Sequence, residues 1–337
     1  MNSMKTKALH EFHSMKWENI SRFRGELMGF AMLIILLFHV CGPHNETLFL
    51  RLCRCGNVGV DMFMFVSGMG LWFAWSKGTT LGTFYLRRFK RVYPAWFVVA
   101  CLFFVPIYIK GGKTLADTIL DIAVNWSFWT VYGELQFWYV PAIMLFYVFA
   151  PGYMSLVGRS RSWCWLPVVA MLFCILMYYD KSLYASLRHL EIMFSRIPIF
   201  LIGINVGRWV KEKRVDDAHA WGVAVLAFVL SAWVCLDFEG GLRGRFPLFL
   251  ERMAYIPLTL SFTLMLSHAF AAMPKLLLRL LAFVGTISLE FYIIHYEFVL
   301  KQIRPLQLGF WPTVLLTFAV TVPFAWLLHK LLNKIFK

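Results

Sequence analysis

The chain has 337 residues, of which 60% are hydrophobic, 18% aromatic and 15% charged, with a mean hydropathy of +0.66. A soluble domain of this length carries nearer a quarter charged residues, so that class is excluded; the 33 Phe and 14 Trp suit lipid-facing helices and interfacial belts. The net charge of +15 accompanies no basic-aromatic groove, so nucleic acid is not an expected partner, and the charge reports orientation and contact with anionic membrane lipids.

A membrane-crossing helix needs about 20 mainly apolar residues. On that rule ten spans are predicted in chain order, at 25–42, 57–76, 92–110, 136–154, 163–180, 193–210, 218–236, 252–272, 277–299 and 310–333. The first run lacks an A-x-A cleavage site and reads as a retained span rather than a signal peptide. Residues 115–134 are too short and too mixed to cross; Trp126, Trp129 and Tyr132 mark them as an outer interfacial helix or lid. With the N-terminal segment 1–24 in the cytoplasm, 21 of the 33 Lys and Arg residues fall on inner segments, and both termini are expected there. The expected fold is therefore all-α: one domain, 1–337, built as a polytopic integral membrane bundle of about ten transmembrane helices.

Seven cysteines, at 41, 53, 55, 101, 164, 174 and 235, make no even framework. Cys53 and Cys55 form a C-x-C without a second pair or a histidine at zinc spacing, so free thiols and no metal are expected.

Ionisable residues inside such a bundle are functional candidates by default. The first span, "ELMGFAMLIILLFHV", carries His39 near its outer end. The second runs inward from Asn57, which sets Asp61 at nearly the same depth. A carboxylate there can accept Nδ1–H from His39 and leave Nε2 free as a base. The other reading is that Asp61 caps its helix and His39 reaches interfacial water. Arg196, His295 and Glu297 fall in the same outer half, and Glu290 lies deeper on the ninth span. "FVSGMG" is not a nucleophile elbow, so Ser67 and Gly68 are read as a helix-packing site. "YLRRFKRVYP" places Arg87, Arg88, Lys90 and Arg91 before the third span. They can anchor the helix to the inner surface. Arg87 and Arg91, at i and i+4, also share a face whose planar forks suit polyphosphate.

Six stretches, in order, resemble the membrane-bound acyltransferase-3 family: "LMGFAMLIILLFHV", "NVGVDMFMFVSGMGLWF", "FYLRRFKRVYPAWF", "FWYVPAIMLFYVFAP", "RIPIFLIGINVGRW" and "FVGTISLEFYIIH". The resemblance implies about ten membrane helices and an O-acetyltransferase activity. Acyl-CoA, usually acetyl-CoA, would be the co-substrate, and a hydroxyl of an envelope polysaccharide or glycolipid the acceptor. It places the chain in a cell membrane, most often a bacterial one. Carried over residue by residue, it makes His39 the helix-1 histidine, Asp61 the GVD aspartate, and Arg87, Arg88 and Arg91 the RRxxR arginines. One departure is clear: the family's helix-1 arginine, eleven residues before the histidine, is replaced here by Met28, with Arg24 one turn earlier.

The mechanism this implies docks the CoA phosphates at Arg87, Arg88, Arg91 and Arg24 and threads the pantetheine arm past Ser67. His39, oriented by Asp61, acts as general base, with Arg196 or Ser67 as oxyanion donor. Glu290 belongs to the expected catalytic set, and His295 and Trp138 to the acceptor side. Two other classes fit the same residues: a transporter with Asp61, Glu290 and His295 as a proton relay, and a non-catalytic sensor permitted by Met28. A transporter of this kind would show paired broken helices in two related halves, which the sequence does not display. No sequence feature sets an oligomeric state.

Overall fold

The structure is a computed structural model that describes residues 16–41, 47–213 and 219–336. The first fifteen residues of the expected N-terminal segment lie outside it. Its main helices are α1 (Arg24–Cys41), α2 (Val58–Trp75), α3 (Leu81–Ile109), α4 (Leu115–Val124), α5 (Tyr139–Arg159) and α6 (Leu166–Tyr179). They continue with α7 (Ile197–Lys211), α8 (Ala220–Phe238), α9 (Leu248–Phe270), α10 (Lys275–Thr286), α11 (Ser288–Ile294) and α12 (Phe310–Ile335). No strand occurs among the described residues. Among the described residues nine helical stretches are long and apolar enough to cross a membrane, and α10 with α11 and its continuation supplies a tenth if the bent pair is one span. The chain is a multi-pass helical membrane protein.

Glycines set the two closest contacts. "GELMG" in α1 presents Gly25 and Gly29 to α10, and a Cβ on Gly29 would collide with the carbonyl of Leu281, as one on Gly285 would with that of Gly25. "GINVG" in α7 does the same against α2, where Gly203 meets the Phe65 carbonyl and Gly68 that of Phe200. Small residues four apart let helix backbones touch, and dispersion rather than the hydrophobic effect then holds helices together in lipid. Gly68 therefore serves packing, as its context in the sequence suggested.

Two segments depart from simple spans. The basic stretch before the third span is not a separate anchor: α3 starts at Leu81 behind Thr80, whose hydroxyl accepts the N–H of Thr83 at 3.4 Å, and runs through Pro94 without breaking. The ninth span is bent by 61° between α10 and α11. Thr286, just before the bend, returns its hydroxyl to the Ala282 carbonyl at 2.9 Å, a back-bond that weakens the helical ladder. Beyond α11 the helix widens into a π segment, His295–Leu300. Among the described residues this is the one strongly bent pair, so the paired broken helices of the transporter reading do not appear there.

The 115–134 region folds as α4 and a short helix, Trp126–Thr130, joined at Asn125 with φ of 54°. Asp121, fully buried, holds the corner by accepting from the Ser127 N–H at 2.7 Å and its hydroxyl at 2.9 Å, with Lys113 paired to the same carboxylate. It does not span. All seven cysteines are free.

Candidate functional site

Two polar cavities open into the bundle, one near each end of α1. The first, about 290 Å³, holds Arg24, Arg88 and Arg91 with Met28, Ser67 and Tyr139 among its walls. Arg24 is the first residue of α1, and its guanidinium lies against Gly70 of α2, where a Cβ would come within 3.1 Å of Cζ. Arg88 faces the rings of Phe84 and Tyr147 at 5.6 and 5.8 Å, and its Nε is buried without a hydrogen-bond partner. Arg91 donates to the Thr286 carbonyl at 3.2 Å, at the bend of the ninth span. The three charges stand close enough to act on one another, yet no carboxylate is among the cavity's described walls. A concave site with several cations and no acid is built for a polyanion.

Met28 lines this cavity too. The position where resembling proteins keep an arginine does face the anion site, and Arg24 supplies a cation from one turn earlier on the same helix. Arg87 does not take part. It is exposed and absent from the walls. The expected Arg87–Arg91 face is thus replaced by Arg88 and Arg91, three residues apart, because α3 turns its i, i+4 arginine row partly outward.

The second cavity, about 340 Å³, is lined by His39, His295, Trp138, Tyr296, Gln136 and Glu297, among others. Its aromatic rings offer a ligand apolar contact, and Gln136 and Glu297 offer hydrogen bonds. Glu297 also pairs with Lys301 at 2.6 Å. Arg304 fixes the end of α1 by donating to the His39 carbonyl at 2.5 Å.

The two histidines are bonded directly. His295 Nδ1 lies 2.8 Å from the carbonyl oxygen of Tyr292 and 3.1 Å from that of Phe291. Both oxygens can only accept, so this nitrogen carries the hydrogen. The neutral ring then presents Nε2 as an acceptor, 2.8 Å from His39 Nδ1. His39 Nδ1–H donates to it, and His39 Nε2 keeps its lone pair. A helix carbonyl thus sets one tautomer, and that tautomer sets the next. The outcome is a neutral imidazole with a free basic nitrogen.

Residues 27–330 match the family model described as an acyltransferase domain, that of acyltransferase family 3. The chain belongs to that family. Comparison with curated proteins gives no significant match, and comparison with solved structures gives none. It is a membrane acyltransferase.

Within this acyltransferase Asp61 is not the partner of His39. Gly59 is the residue of α2 that packs on α1, against the Ala31 carbonyl. Asp61 stands two residues on, about 200° around the helix, and Gly68 is almost on Asp61's own side. Asp61 therefore faces α7, where it forms a buried ion pair with Arg196, the residue preceding α7. Both are about 2% exposed or less. The pair lines neither cavity and backs Trp138, whose ring centroid is 6.0 Å from Arg196 Cζ. Arg196 is placed to position the wall of the site rather than to touch a reacting oxygen.

Glu290 is not with His39 either. Its Oε1 meets His329 Nδ1 at 2.8 Å, and His329 Nε2 meets the Asn333 amide at 2.8 Å, while neither cavity includes Glu290. It ties the bent ninth span to α12. His329 and Asn333, four residues apart, carried a signal, a polar pair on one face of an apolar helix, that went unread. Tyr292 and Tyr296 carried none, since aromatic residues in a span ordinarily face lipid.

Among the described residues no group of three His, Cys, Asp or Glu side chains suited to a metal ion is found.

Proposed function

We propose that this enzyme transfers an acyl group, acetyl above all, from acyl-CoA to a hydroxyl of an envelope carbohydrate or glycolipid. The arginine cavity binds the CoA phosphates and the histidine cavity the acceptor. The protein sits in a bacterial cell membrane with both termini and the arginine cavity on the cytoplasmic side, where acyl-CoA is found. The observation that carries this reading is the His39–His295 bond, which leaves a basic nitrogen at the opposite end of α1 from a carboxylate-free cluster of arginines.

In the reaction, His39 Nε2 takes the acceptor hydroxyl proton as the oxygen bonds to the thioester carbon. The C–S bond breaks, the CoA thiolate leaves, and the proton on Nε2 returns to sulfur. His39 Nδ1–H keeps its bond to His295 throughout, and that bond strengthens as the ring becomes positive. Of the two expected oxyanion donors, Ser67 lines the arginine cavity and Arg196 lines neither, which leaves Ser67 for that role. A positioned base contributes about 10²–10⁴-fold.

The test supplies membranes with radiolabelled acetyl-CoA and an envelope acceptor extract. His39→Ala is expected to lose label transfer by about 10²–10⁴-fold. Transfer at the wild-type rate removes the general base from this scheme.

A further inference from the structure

The two cavities are separated by a wall one residue thick. Along α11 and into the π segment, Ser288 and Leu289 line the arginine cavity, Ile293 and His295 line the histidine cavity, and Tyr292 lines both. No other described residue belongs to both walls. Neighbours in sequence divide the same way at the start of α5, with Trp138 on the histidine side and Tyr139 on the arginine side. From Leu289 to Ile293 the helix rises only about 6 Å. By contrast, the stretch of α1 between Arg24 and His39 is closed by the buried side chains of Met32, Ile35 and Leu36.

The wall is aromatic. Tyr292 packs on Tyr139 with ring centroids 5.0 Å apart, and Tyr139 on Phe63 at 6.0 Å. Both partners line the arginine cavity at this end. Tyr292 is 8% exposed and is held between the rings of Tyr139 at 5.0 Å and His295 at 5.9 Å.

We propose that Tyr292 is the acyl gate of this enzyme: its ring separates the two cavities, and it fixes how long an acyl chain can reach His39. The acyl half of this statement rests on the function proposed above; the sealing half does not. A thioester bound through its phosphates in the arginine cavity meets Tyr292 before it meets His39. Its carbonyl must come level with the ring, so the acyl tail has to fit among Tyr292, Tyr139 and Phe63. A methyl group displaces little there. Each further methylene displaces a ring from packed contact. The same ring closes a membrane-crossing route for water and protons that the two cavities would otherwise form.

Purified protein in liposomes tests both halves. Initial rates with acetyl-, butyryl- and hexanoyl-CoA give kcat/KM ratios, and a pH-sensitive dye inside the vesicles reports proton entry after an external acid pulse. The wild type is expected to prefer acetyl over butyryl by at least about tenfold and to hold the gradient. Tyr292→Ala and Tyr292→Leu should narrow that preference to about threefold or less and dissipate the gradient faster. Tyr292→Phe should keep both properties. An unchanged chain-length preference in an active Tyr292→Ala or Tyr292→Leu enzyme overturns the gate. If the wild type transfers no acyl group, the proposed function fails on its own. The dye then decides the rest: a leak confined to the Ala and Leu variants supports the seal, and tight vesicles from variants that remain monodisperse and folded refute it.

Discussion

Replacing His295 by alanine tests the tautomer chain without touching the base itself. His39 Nδ1–H would lose its acceptor at 2.8 Å, and the two helix carbonyls would lose the donor that orients the His295 ring. Leaving one buried donor unsatisfied costs about 1–3 kcal/mol. The bond to the imidazolium formed in the transition state is roughly twice as strong as the neutral one, so most of this cost is expected at the barrier. At 1.36 kcal/mol per decade, kcat should fall by about 5–150-fold while the KM for acyl-CoA stays unchanged. His295→Gln keeps a carbonyl acceptor for His39 and an N–H for the carbonyls, and should recover part of the loss. The double variant with His39→Ala should be no slower than His39→Ala alone, because the two rings act as one unit. The assay is label transfer with acetyl-CoA varied at saturating acceptor, and then with acceptor varied at saturating acetyl-CoA. A His295→Ala enzyme of wild-type kcat, or one altered only in KM for acyl-CoA, refutes the argument.

Three other outcomes follow from the geometry. Arg88→Ala and Arg91→Ala should each raise the KM for acyl-CoA about tenfold or more at little cost in kcat, whereas exposed Arg87→Ala should leave it unchanged; equal effects at all three positions would refute the assignment. Asp61→Asn leaves the Arg196 guanidinium buried without a counter-charge, which costs about 3–5 kcal/mol. It should lower the Tm in detergent and cut the yield of folded protein, and a variant that melts with the wild type would break the pair. Gly29→Val forces a side chain into the Leu281 carbonyl, so α1 and α10 must separate and folded protein should be lost; near-normal thermal stability would show that the contact is not needed.

The fold was legible because span length is a one-dimensional signal, and the helices fall close to the runs read from hydropathy. The site was legible only in part. Depth along a helix can be counted from sequence: it separates His39 from Arg91, which line different cavities, but it set Asp61 level with His39, whereas the neighbouring Gly59 packs at Ala31. Rotation about the helix axis decides who touches whom, and it was misread for both: Arg88 rather than Arg87 joins Arg91 in the cavity, and Asp61 meets Arg196. Gly59 and Gly68 held the missing information: small residues mark the faces that meet neighbours, and Asp61 is on Gly68's side. The sharp bend at Ile287 had only the weak signal of Gly285, Thr286 and Ser288 clustered in an apolar run, and the π segment that delivers His295 to His39 had none, since "GTISLEFYIIHYEF" holds no proline.

The departure from a His–Asp arrangement has a physical reason. An orienting carboxylate beside His39 would be an anion inside a membrane span, and burying an unpaired charge there is expensive. A second imidazole orients the first while both remain neutral. The Asp61 carboxylate, two residues beyond Gly59, which packs at the level of Ala31, is instead neutralised by Arg196 across the α2–α7 contact, where the glycines bring the two backbones together. Charge is then confined to places that can hold it: a paired ion bridge within the bundle, and an arginine cavity that a polyanionic ligand would compensate. Between them lies a neutral pair of rings whose hydrogen positions are dictated by two carbonyls of one helix. Under the proposed function, such a pair keeps its basic nitrogen uncharged until the proton of the acceptor arrives.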